Sequence, residues 1–453
     1  MGKITLAQAA AWCGGQIDPK YAEVAFSGAN NDSRIIKEGQ LFVALQGVRD
    51  GHDFIPVAME KGAAAVLCTR SVGDHPAILV EDTRIALGQI AKAYRKHLGM
   101  KVVGVTGSVG KSTTKEMIAC VLESTFKVAK TPANHNNDIG MPMAVLSIPE
   151  DTQVAVLEMG MNHFREIAYL TEIAQPDAAV IINIGTMHIE HLGSQEGILK
   201  AKLEILEGME KDAPLLLNGD DTLLWNAQKQ LKRKVTYFGS YNTDCAVKAQ
   251  NVVHGDGLIR FDAQYGDTEF TVELPMEGAH YVPDALAAIA VGVTFGVSPQ
   301  AMAESLHSFQ NLAGRQEIFN AKGYTIIKDC YNAGPESMAA ALSVLGNKPG
   351  RRIAVMGDML ELGVCTQAEH YRVGRIAAEK ADFVFAYGPN SGRVISGCIT
   401  GGMAEGKALA FEDRIALVEA LKRTAKPGDV LLFKGSHGMH MEIALELFLK
   451  DET

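Results

Sequence analysis

Short runs of β-branched and other apolar residues recur along the chain, and each leads through a glycine-containing turn into an amphipathic stretch. Examples are KVVGV at 101–105, VAVLEMG at 154–160, AAVIINIG at 178–185, RIAVMGD at 352–358 and DVLLFKG at 429–435. Near-continuous apolar strands followed by helical periodicity are typical of parallel sheets that helices cover on both faces. The pattern predicts an α/β fold, and it occurs in at least two separate parts of the chain.

The length of 453 residues is enough for roughly two to four domains, each with its own core. An amphipathic run, IALGQIAKAYRKHLG, ends just before Lys101, and a new strand–helix cycle begins after AGRQE at 313–317. We therefore predict three domains, at 1–98, 99–312 and 313–453. The stretch 235–274 alternates like antiparallel strands, which we expect to be inserted into the central sheet or to close it.

Composition excludes several classes of protein. With 53 acidic and 43 basic residues the net charge is -10, which argues against a nucleic-acid binder. The seven cysteines are scattered and none forms a CxxC pair, so neither a zinc site nor a disulfide framework is indicated. The N-terminal apolar run is too short for a signal peptide, and the most apolar stretch, 285–297, is too short to span a bilayer. We expect a cytoplasmic monomer with no membrane span.

The strongest local motif is GVTGSVGKSTTKEM at 104–117, a strand that runs through a glycine-rich turn into a helix. Glycines let backbone N–H groups approach phosphate oxygens, and the helix N-terminus favours an anion. Lys111 is expected to reach the β- and γ-phosphates of a nucleotide, and Ser112 to offer its hydroxyl to Mg²⁺. The strict GxxxxGK spacing is broken by Val105, so an ordinary strand–helix turn is the alternative. The candidate ATP contacts here are Thr106, Gly107, Ser108, Gly110, Lys111, Ser112 and Thr113.

Two further features would complete a nucleotide site. Glu158 ends the strand VAVLEMG, where a carboxylate that holds Mg²⁺ is expected, although such a residue is often only a solvated turn acid. The loop TPANHNNDIGMP at 131–142 is dense in asparagine, which favours either turns or polar ligand contacts.

A lysine points inward on the helix predicted at 194–209, with Ser194 as its N-cap. Lys202 falls within the apolar stripe, whereas Lys200, Glu204, Glu207 and Lys211 are expected to point away. An inward lysine snorkels, pairs or is chemically modified. Just upstream, NIGTMHIEHLGS brings His188 and His191 to a strand end, where α/β proteins bind ligands, although His188 is equally compatible with core packing.

Several segments occur in the order seen in the Mur ligase family, the ATP-dependent enzymes that form amide bonds in peptidoglycan precursors. They are TGSVGKST, TPANHNNDIGMP, LEMG, NIGTMHIEHLGS with KAKLEI, LNGDD, AGRQE and KDCYNAGPESM. In addition, SGANNDSRIIKEGQLFVALQGVRDGHDF is similar to the N-terminal UDP-sugar-binding domain of that family, and MGDMLELG and LFKGSHGMHME resemble its C-terminal domain. The resemblance spans the chain. It implies an N-terminal UDP-sugar-binding α/β domain, a central ATP-binding domain with a P-loop-type sheet and a C-terminal Rossmann-like domain.

Within the family, YNAGPESM is similar to the motif of the ligase that adds D-alanyl-D-alanine to UDP-N-acetylmuramoyl-tripeptide, and the sequence has no DNPR-type motif of the tripeptide-forming ligase. The resemblance implies ATP and Mg²⁺ as cofactors, the UDP-linked tripeptide and D-alanyl-D-alanine as substrates, and an acyl-phosphate intermediate with release of ADP and phosphate. Another ligase of the superfamily and a nucleotide-dependent switch are the alternatives.

The resemblance also implies roles for single residues. Lys111, His188 and Lys202 would be catalytic, with Lys202 carbamylated so that its negative charge helps to organise metal. Metal would be held by Ser112, Glu158, His188 and the modified Lys202, and the UDP-sugar would contact Ser33 and Arg34. Asp138 lies in the loop that approaches ATP and the substrate. The further implied ATP contacts are Asn134, Asn137, Arg315, Asp329, Tyr331 and Asn332.

Four positions depart from the pattern of the family. Asp284 stands where an asparagine approaches adenine, and Gly334 replaces the second asparagine of YNANP. His437 stands where an arginine is common, and Arg165 replaces a glycine. None of these departures removes a residue implied to bind phosphate or metal.

Overall fold

The computed structural model describes residues 3–255 and 257–450, whose helices and strands form three α/β units. The predicted fold class is confirmed, because parallel strands dominate all three of the larger sheets. The first unit ends with a helix at Leu98, and the first strand of the second begins at Lys101. The domain limits themselves stay a prediction.

The first unit contains a four-stranded parallel sheet and a short antiparallel pair. Its elements are β1 (Ile4–Thr5), α1 (Leu6–Cys13), β2 (Ala25–Phe26), β3 (Ala29–Asn30), β4 (Leu41–Val43), α2 (Ile55–Glu60), β5 (Ala65–Cys68), β6 (Ala77–Leu79) and α3 (Thr83–Leu98), with 3₁₀ turns at Pro19–Tyr21 and Gly51–Phe54. The sheet order is β3-β4-β5-β6, and β1 pairs with β2.

The second unit is built on a nine-stranded sheet. Its elements are β7 (Lys101–Thr106), α4 (Lys111–Glu123), β8 (Val128–Lys130), α5 (Gly140–Leu146), β9 (Val154–Glu158), α6 (Glu166–Ala174), β10 (Ala178–Ile181), α7 (Ile189–Leu192), α8 (Gln195–Leu203), a 3₁₀ helix at Glu204–Gly208, β11 (Leu215–Asn218), α9 (Thr222–Ala227), β12 (Val235–Gly239), β13 (Val247–Gly255), β14 (Leu258–Tyr265), β15 (Thr268–Leu274), α10 (Tyr281–Phe295) and α11 (Pro299–His307). The sheet order is β15-β14-β13-β12-β11-β10-β7-β9-β8.

The third unit is a six-stranded sheet in the order β16-β17-β21-β18-β19-β20. Its elements are β16 (Glu317–Ala321), β17 (Tyr324–Asp329), α12 (Pro335–Gly346), β18 (Arg352–Gly357), a 3₁₀ turn at Gly363–Cys365, α13 (Thr366–Lys380), β19 (Phe383–Tyr387), α14 (Ser391–Thr400), β20 (Ala408–Phe411), α15 (Arg414–Thr424), β21 (Val430–Lys434), a 3₁₀ turn at His437–Met439 and α16 (Met441–Leu449). Only β16 pairs in antiparallel fashion with its neighbour.

The prediction of antiparallel strands over 235–274 is wrong for its first strand. β12 is parallel to both β11 and β13, whereas β13, β14 and β15 form an antiparallel meander at the edge of the sheet. A strand buried between parallel neighbours and an alternating edge strand both contain β-branched and aromatic residues, so composition does not settle the direction of β12.

Helix α3 joins the first two units into one packed body. Asp82 accepts the N–H groups of Arg84 and Ile85 at its start, and Gly99 ends it at φ 63°. The hydroxyl of Tyr94 donates to the carbonyl of Ile148 at 2.9 Å, across the boundary between the units. One hydrophobic core contains residues of both units, and each of the two also has a further core of its own. The third unit has separate cores.

Within the described part of the chain, none of the helices combines the length and the hydrophobicity that a bilayer crossing requires. The apolar stretch at 285–297 lies in α10, whose inward face packs on the central sheet beside α4. All seven cysteines have free thiols.

Candidate active site

The carboxyl ends of three adjacent parallel strands meet the third unit at a cavity of about 530 Å³. β10, β7 and β9 are neighbours in the sheet, so the residues after Ile181, Thr106 and Glu158 lie at one edge. The residues after β17 close the cavity from the other side. Most of the predicted ATP and metal residues line it, namely Ser108, Gly110, Lys111, Ser112, Thr113, Asn134, Asn137, Glu158, His188, Arg315, Asp329, Tyr331 and Asn332.

The loop between β7 and α4, residues 107–110, is called the phosphate loop here. Lys111, which follows it, folds back onto the carbonyl groups of this loop. Lys111 Nζ donates to the carbonyl oxygens of Gly107 at 2.9 Å and Ser108 at 3.3 Å. Burial lowers the pKa of the Lys111 amine. Gly110 precedes helix α4 with φ 85°, a conformation that strains any residue with a Cβ. The loop therefore presents a cation and a helix N-terminus to the same cavity, which is the arrangement that binds phosphate.

Asn183 shapes this loop, and sequence reasoning did not single it out. Its Oδ1 accepts the N–H groups of Ser108 at 3.0 Å and Val109 at 2.9 Å, and its Nδ2 donates to the carbonyl of Val109 at 2.9 Å. The Ser108 hydroxyl in turn accepts the N–H of Gly185 at 2.9 Å. The only sequence signal was a polar residue that directly follows the apolar run of β10.

The carboxylate of Glu158 has one oxygen engaged and one free. Oε1 accepts Asn136 Nδ2 at 2.7 Å, and the backbone N–H of Glu158 donates to Thr131 Oγ1 at 2.9 Å. Oε2 has no hydrogen-bond partner, although the residue is only 1% exposed. A buried carboxylate oxygen without a donor is costly unless a cation or a water meets it. The resemblance implies ATP contacts for Asn134 and Asn137 and gives no role to Asn136, so the sequence does not predict this hydrogen bond.

These oxygens fit a hard divalent cation such as Mg²⁺. Besides Glu158 Oε2, the cavity offers the Ser112 hydroxyl, which accepts Arg315 Nη2 at 3.0 Å. In residues 3–255 and 257–450, no group of three or more His, Cys, Asp or Glu side chains is arranged as a metal cage. Mg²⁺ usually takes one or two protein oxygens and completes its shell with water and substrate phosphates, so this sparse donor set suits a nucleotide-bound Mg²⁺.

Lys202 points inward, as predicted. It lies on α8, is 2% exposed and does not line the cavity. Burial holds the pKa of its amine well below the usual range, and the charge of Lys111 lowers it further. Ser194 caps this helix by accepting the N–H of Gly197 at 3.1 Å.

The prediction that Glu204 points away from the core is wrong. The chain tightens into a 3₁₀ helix after Leu203, which rotates Glu204 inward relative to an α-helix. Its carboxylate oxygens accept the N–H group of Arg165 at 2.9 Å, and one of them also accepts that of Ala168 at 3.2 Å. Glu204 thus caps the start of α6. Arg165, one of the four departures, has φ 72°, which explains why glycine is favoured at this position.

His188 lies at the boundary with the third unit. It has φ 63° and lines the cavity, and its Nδ1 is 2.7 Å from Glu361 Oε2. The nearby imidazole lowers the pKa of Glu361. Thr186, two residues earlier, donates its N–H and its hydroxyl to Glu336 Oε1 at 3.1 and 3.0 Å. Carboxylates of the third unit therefore hold this segment on both sides of Met187.

The third unit contributes an aromatic–cation pair and a buried ion pair. Arg315 Cζ lies 4.1 Å from the centre of the Tyr331 ring. Lys434 Nζ donates to Asp329 Oδ2 at 2.6 Å and to the carbonyl of Asn332 at 3.0 Å. Lys434 was missed from the sequence, where it ends the apolar strand DVLLFKG.

Some predicted residues lie outside the cavity or serve the fold. Thr106 and Gly107 stand behind the loop, and Thr106 donates its hydroxyl to the carbonyl of Met159. Asn137 lines the cavity but also accepts the N–H of Gly140 at 2.7 Å at the start of α5. Asp138 pairs with Arg84 of the first unit at 2.9 Å.

Ser33 and Arg34 lie in the first unit, away from the cavity lining. Ser33 is 7% exposed. Arg34 is exposed and forms a two-pronged pair with Asp32, which lowers the pKa of that carboxyl to about 2.

The three remaining departures have a structural setting. A Cβ on Gly334 would overlap the sulfur of Met187, so a larger residue there requires the Met187 side chain to shift. Asp284 is buried beneath the loop, where its Oδ1 accepts the Thr114 hydroxyl at 2.6 Å. His437 lies near Tyr331, with ring centres 6.2 Å apart and ring planes tilted by 44°.

Fold and site together define a nucleotide-dependent enzyme with a phosphate loop on a central parallel sheet and a third domain that covers it. Three family models match, described as Mur ligase family, catalytic domain (residues 26–95), Mur ligase middle domain (105–292) and Mur ligase, glutamate ligase domain (314–437). The chain belongs to the Mur ligase family.

Similar proteins narrow the comparison within that family. A Bacillus subtilis protein named UDP-N-acetylmuramoyl-tripeptide–D-alanyl-D-alanine ligase is 41% identical, over 94% of this chain and 93% of its own. MurF from Acinetobacter baumannii has a TM-score of 0.92 at 30% identity and full coverage of both chains. MurF ligase from Thermotoga maritima, solved in complex with ADP, has a TM-score of 0.82 at 31% identity and covers 93% of this chain and 97% of its own.

Proposed function

We propose that this protein is the ligase that uses ATP to join D-alanyl-D-alanine to UDP-N-acetylmuramoyl-tripeptide. The observation that carries the proposal is the cavity between the second and third units. It brings the phosphate loop, a buried carboxylate with a free oxygen and the Arg315–Tyr331 pair within one volume. The names of the 41% identical relative and of the MurF structures support the choice of substrates.

The first chemical step is the transfer of the γ-phosphoryl group of ATP to the terminal carboxylate of the tripeptide. A carboxylate oxygen attacks the γ-phosphorus in line, the bond to the β-phosphate oxygen breaks, and an acyl phosphate and ADP result. Lys111 would leave the carbonyl groups of its own loop and donate to the phosphates. Arg315 reaches Ser112 from the third unit and adds a second cation. Both charges would then stabilise the negative charge of the transferred group.

The residues that would hold Mg²⁺ are Ser112 and Glu158, with His188 close by. When bound, the ion would neutralise phosphate charge and orient the transferred group. The protein keeps Glu158 Oε2 buried and without a hydrogen-bond donor, because the hydrogen bonds with Asn136 and Thr131 fix the rest of the residue.

In the second step the amine of D-alanyl-D-alanine attacks the acyl carbon. The C–N bond forms, the nitrogen loses a proton, and the C–O bond to phosphate breaks. Water would hydrolyse the acyl phosphate, so the third unit has to cover the cavity during the reaction. The contacts of Thr186 with Glu336 and of His188 with Glu361 are of the kind that would hold it in place.

Lys202 is suited to carbamylation, which we include in the proposal. An amine reacts with CO₂ only in its neutral form, and the burial of Lys202 favours that form. The carbamate would carry a negative charge near Lys111 and offset its positive charge. A ¹³C-carbonyl NMR signal in protein incubated with ¹³C-bicarbonate, absent from K202A, is the expected result.

We assign residues 1–98 to UDP-sugar binding, 99–312 to ATP binding and catalysis, and 313–453 to closure of the site. Arg34 presents an exposed guanidinium in the first unit, and Ser33 stands beside it, a combination suited to a diphosphate. We place the enzyme in the cytoplasm, because ATP and UDP-linked precursors are cytoplasmic metabolites. We also propose that it is a monomer. Size-exclusion chromatography with light scattering tests the monomer.

Phosphate release with ATP, Mg²⁺ and UDP-N-acetylmuramoyl-tripeptide tests the proposed reaction. Turnover is expected with D-alanyl-D-alanine as the amine and not with single amino acids. The variant K111M should lose at least about a thousandfold in kcat, since it removes a charge that acts in the transition state. Its control is K101M, because Lys101 begins β7, the strand that leads into the loop before Lys111, at its exposed far end and pairs with Asp177 there.

Two results would contradict the proposal. Turnover only with free lysine or diaminopimelate, on a dipeptide acceptor, would reassign the protein to the tripeptide-forming step. Full ATPase activity without any UDP-linked peptide would indicate a nucleotide-dependent switch instead.

A further inference from the structure

A fully buried cation lies directly behind the carboxylate of Glu158. Lys115 is on helix α4, one turn after Ser112, and is 0% exposed. Its Nζ donates to the carbonyl of Thr131 at 2.7 Å and lies 3.1 Å from Glu116 Oε1. It is also 3.8 Å from Glu158 Oε2. The mechanism described above does not use this side chain.

Lys115 connects the two elements that would hold the metal. Ser112 is on α4, whereas Glu158 ends β9. Thr131 lies between them, because its hydroxyl accepts the N–H of Glu158 at 2.9 Å while its carbonyl accepts Lys115. Thr131 is itself fixed by its N–H, which donates to the carbonyl of Val156 at 3.1 Å. The Lys115 ammonium group is thus linked to the strand end through Thr131.

The distance from Lys115 to Glu158 has a chemical consequence. At 3.8 Å the ammonium is too far from Oε2 for a hydrogen bond, but close enough to offset its charge. The oxygen therefore stays free of donors in a site where a lone carboxylate would be strongly unfavourable. A purely structural position would be cheaper to fill with an apolar side chain, such as those of Met117 and Ile118 on the same helix.

We propose that Lys115 is a positioning residue for the metal. It holds Glu158 in place and compensates its charge while leaving Oε2 available to a divalent cation. This inference rests on the proposed nucleotide–metal site at Ser112 and Glu158.

The test measures Mn²⁺ binding to the complex of the full-length protein with ADP, by electron paramagnetic resonance, so that no turnover is needed. In K115M we expect Mn²⁺ to bind at least about tenfold more weakly than in the wild type, as is typical when a partner behind a metal ligand is lost. The affinity for ADP without metal should change less than about threefold. K115Q keeps a donor for the Thr131 carbonyl without the charge, so its affinity for Mn²⁺ should lie between those of the wild type and K115M.

The matched control is K130M. Lys130 Nζ lies 2.6 Å from Glu116 Oε2 and 3.8 Å from Glu123 Oε1, whereas the cation next to the Thr131 carbonyl and Glu158 Oε2 is Lys115. The variant K130M removes one positive charge from beside Glu116, as K115M does, so its Mn²⁺ affinity should stay within about twofold of the wild type. Circular dichroism and thermal unfolding establish that each variant is folded, and K115Q provides the comparison if K115M does not fold.

The outcomes separate the two proposals. If the wild type shows no Mn²⁺ binding coupled to ADP, the proposed nucleotide–metal site fails and the role of Lys115 fails with it. If the wild type binds Mn²⁺ and folded Lys115 variants bind it equally well or more tightly, the proposed function stands and the inference about Lys115 is overturned. An equal loss in K130M would also overturn it, because the effect would then be one of general charge.

Discussion

Asp284 makes the stability of the central unit depend on pH, in a direction opposite to that of most carboxylates. The side chain is 4% exposed, and burial raises its pKa from 3.8 to about 7. The folded protein therefore keeps this proton up to about pH 7, whereas the unfolded chain releases it near pH 4. The contribution of the Asp284 proton to the free energy of unfolding is fully present below the pKa of this carboxyl in the unfolded chain. It is lost as the pH rises towards 7, the pKa in the folded protein.

The variant D284N isolates the effect, because an amide oxygen can still accept the Thr114 hydroxyl but cannot ionise. Each pH unit between the two pKa values costs the wild type about 1.4 kcal/mol relative to D284N. Between pH 5 and pH 7.5, with the proton retained until about pH 7, the sum is about 2.5 kcal/mol.

Urea unfolding of wild type and D284N at pH 5 and pH 7.5 measures this difference. Trp225 packs against Tyr237 in the central unit, with ring centres 4.6 Å apart, so its fluorescence reports on that unit once W12F has removed the other tryptophan. The control is D267N, which removes a carboxylate from an exposed turn of the same unit. If the free energies of unfolding of wild type and D284N changed in parallel, to within about 0.5 kcal/mol, the raised pKa of the buried Asp284 carboxyl would be refuted.

Two further predictions concern the boundary between the second and third units. G334A should destabilise the protein by about 1–3 kcal/mol, because its methyl group would overlap the Met187 sulfur, and M187A should recover part of that loss; thermal unfolding of the single and double variants checks both. E336A should lower kcat/KM about tenfold, since it removes the hydrogen bonds from both the N–H and the hydroxyl of Thr186, whereas T186V removes only the hydroxyl bond and should lower kcat/KM less. The double variant should be no worse than E336A. Additive losses in steady-state kinetics would show that the two side chains act separately.

The features that were predicted correctly from the sequence are those in which neighbouring residues determine local structure. The parallel strands follow from apolar runs, and the inward position of Lys202 follows from helical periodicity. The turn between β7 and α4 follows from a glycine-rich segment and GKST between a strand and a helical pattern, whereas phosphate binding by this turn stays a prediction. In each case the pattern is complete within about fifteen residues, so distant parts of the chain need not be known.

Residues whose role arises from distant contacts left no such pattern. Asn183 reaches the phosphate loop from a different strand, and Lys434 pairs with Asp329 across the third sheet. Each is one polar residue after an apolar run, which in isolation looks like an ordinary turn. Glu204 was misplaced for a different reason, because a constant 100° per residue does not hold when an α-helix tightens into a 3₁₀ turn.

The segment 185–190 shows why the site needs both units at once. Within it, Thr186 donates to Glu336 and Met187 packs against Gly334. The next residue, His188, lies beside Glu361. A Cβ on Gly363 would overlap the last residue of the segment. Successive residues thus contact the third unit while the same segment supports the phosphate loop through Gly185 and contributes His188 to the cavity. Because the two sets of contacts share one short stretch of backbone, we expect a movement of the third unit that keeps these contacts to displace His188 relative to the loop.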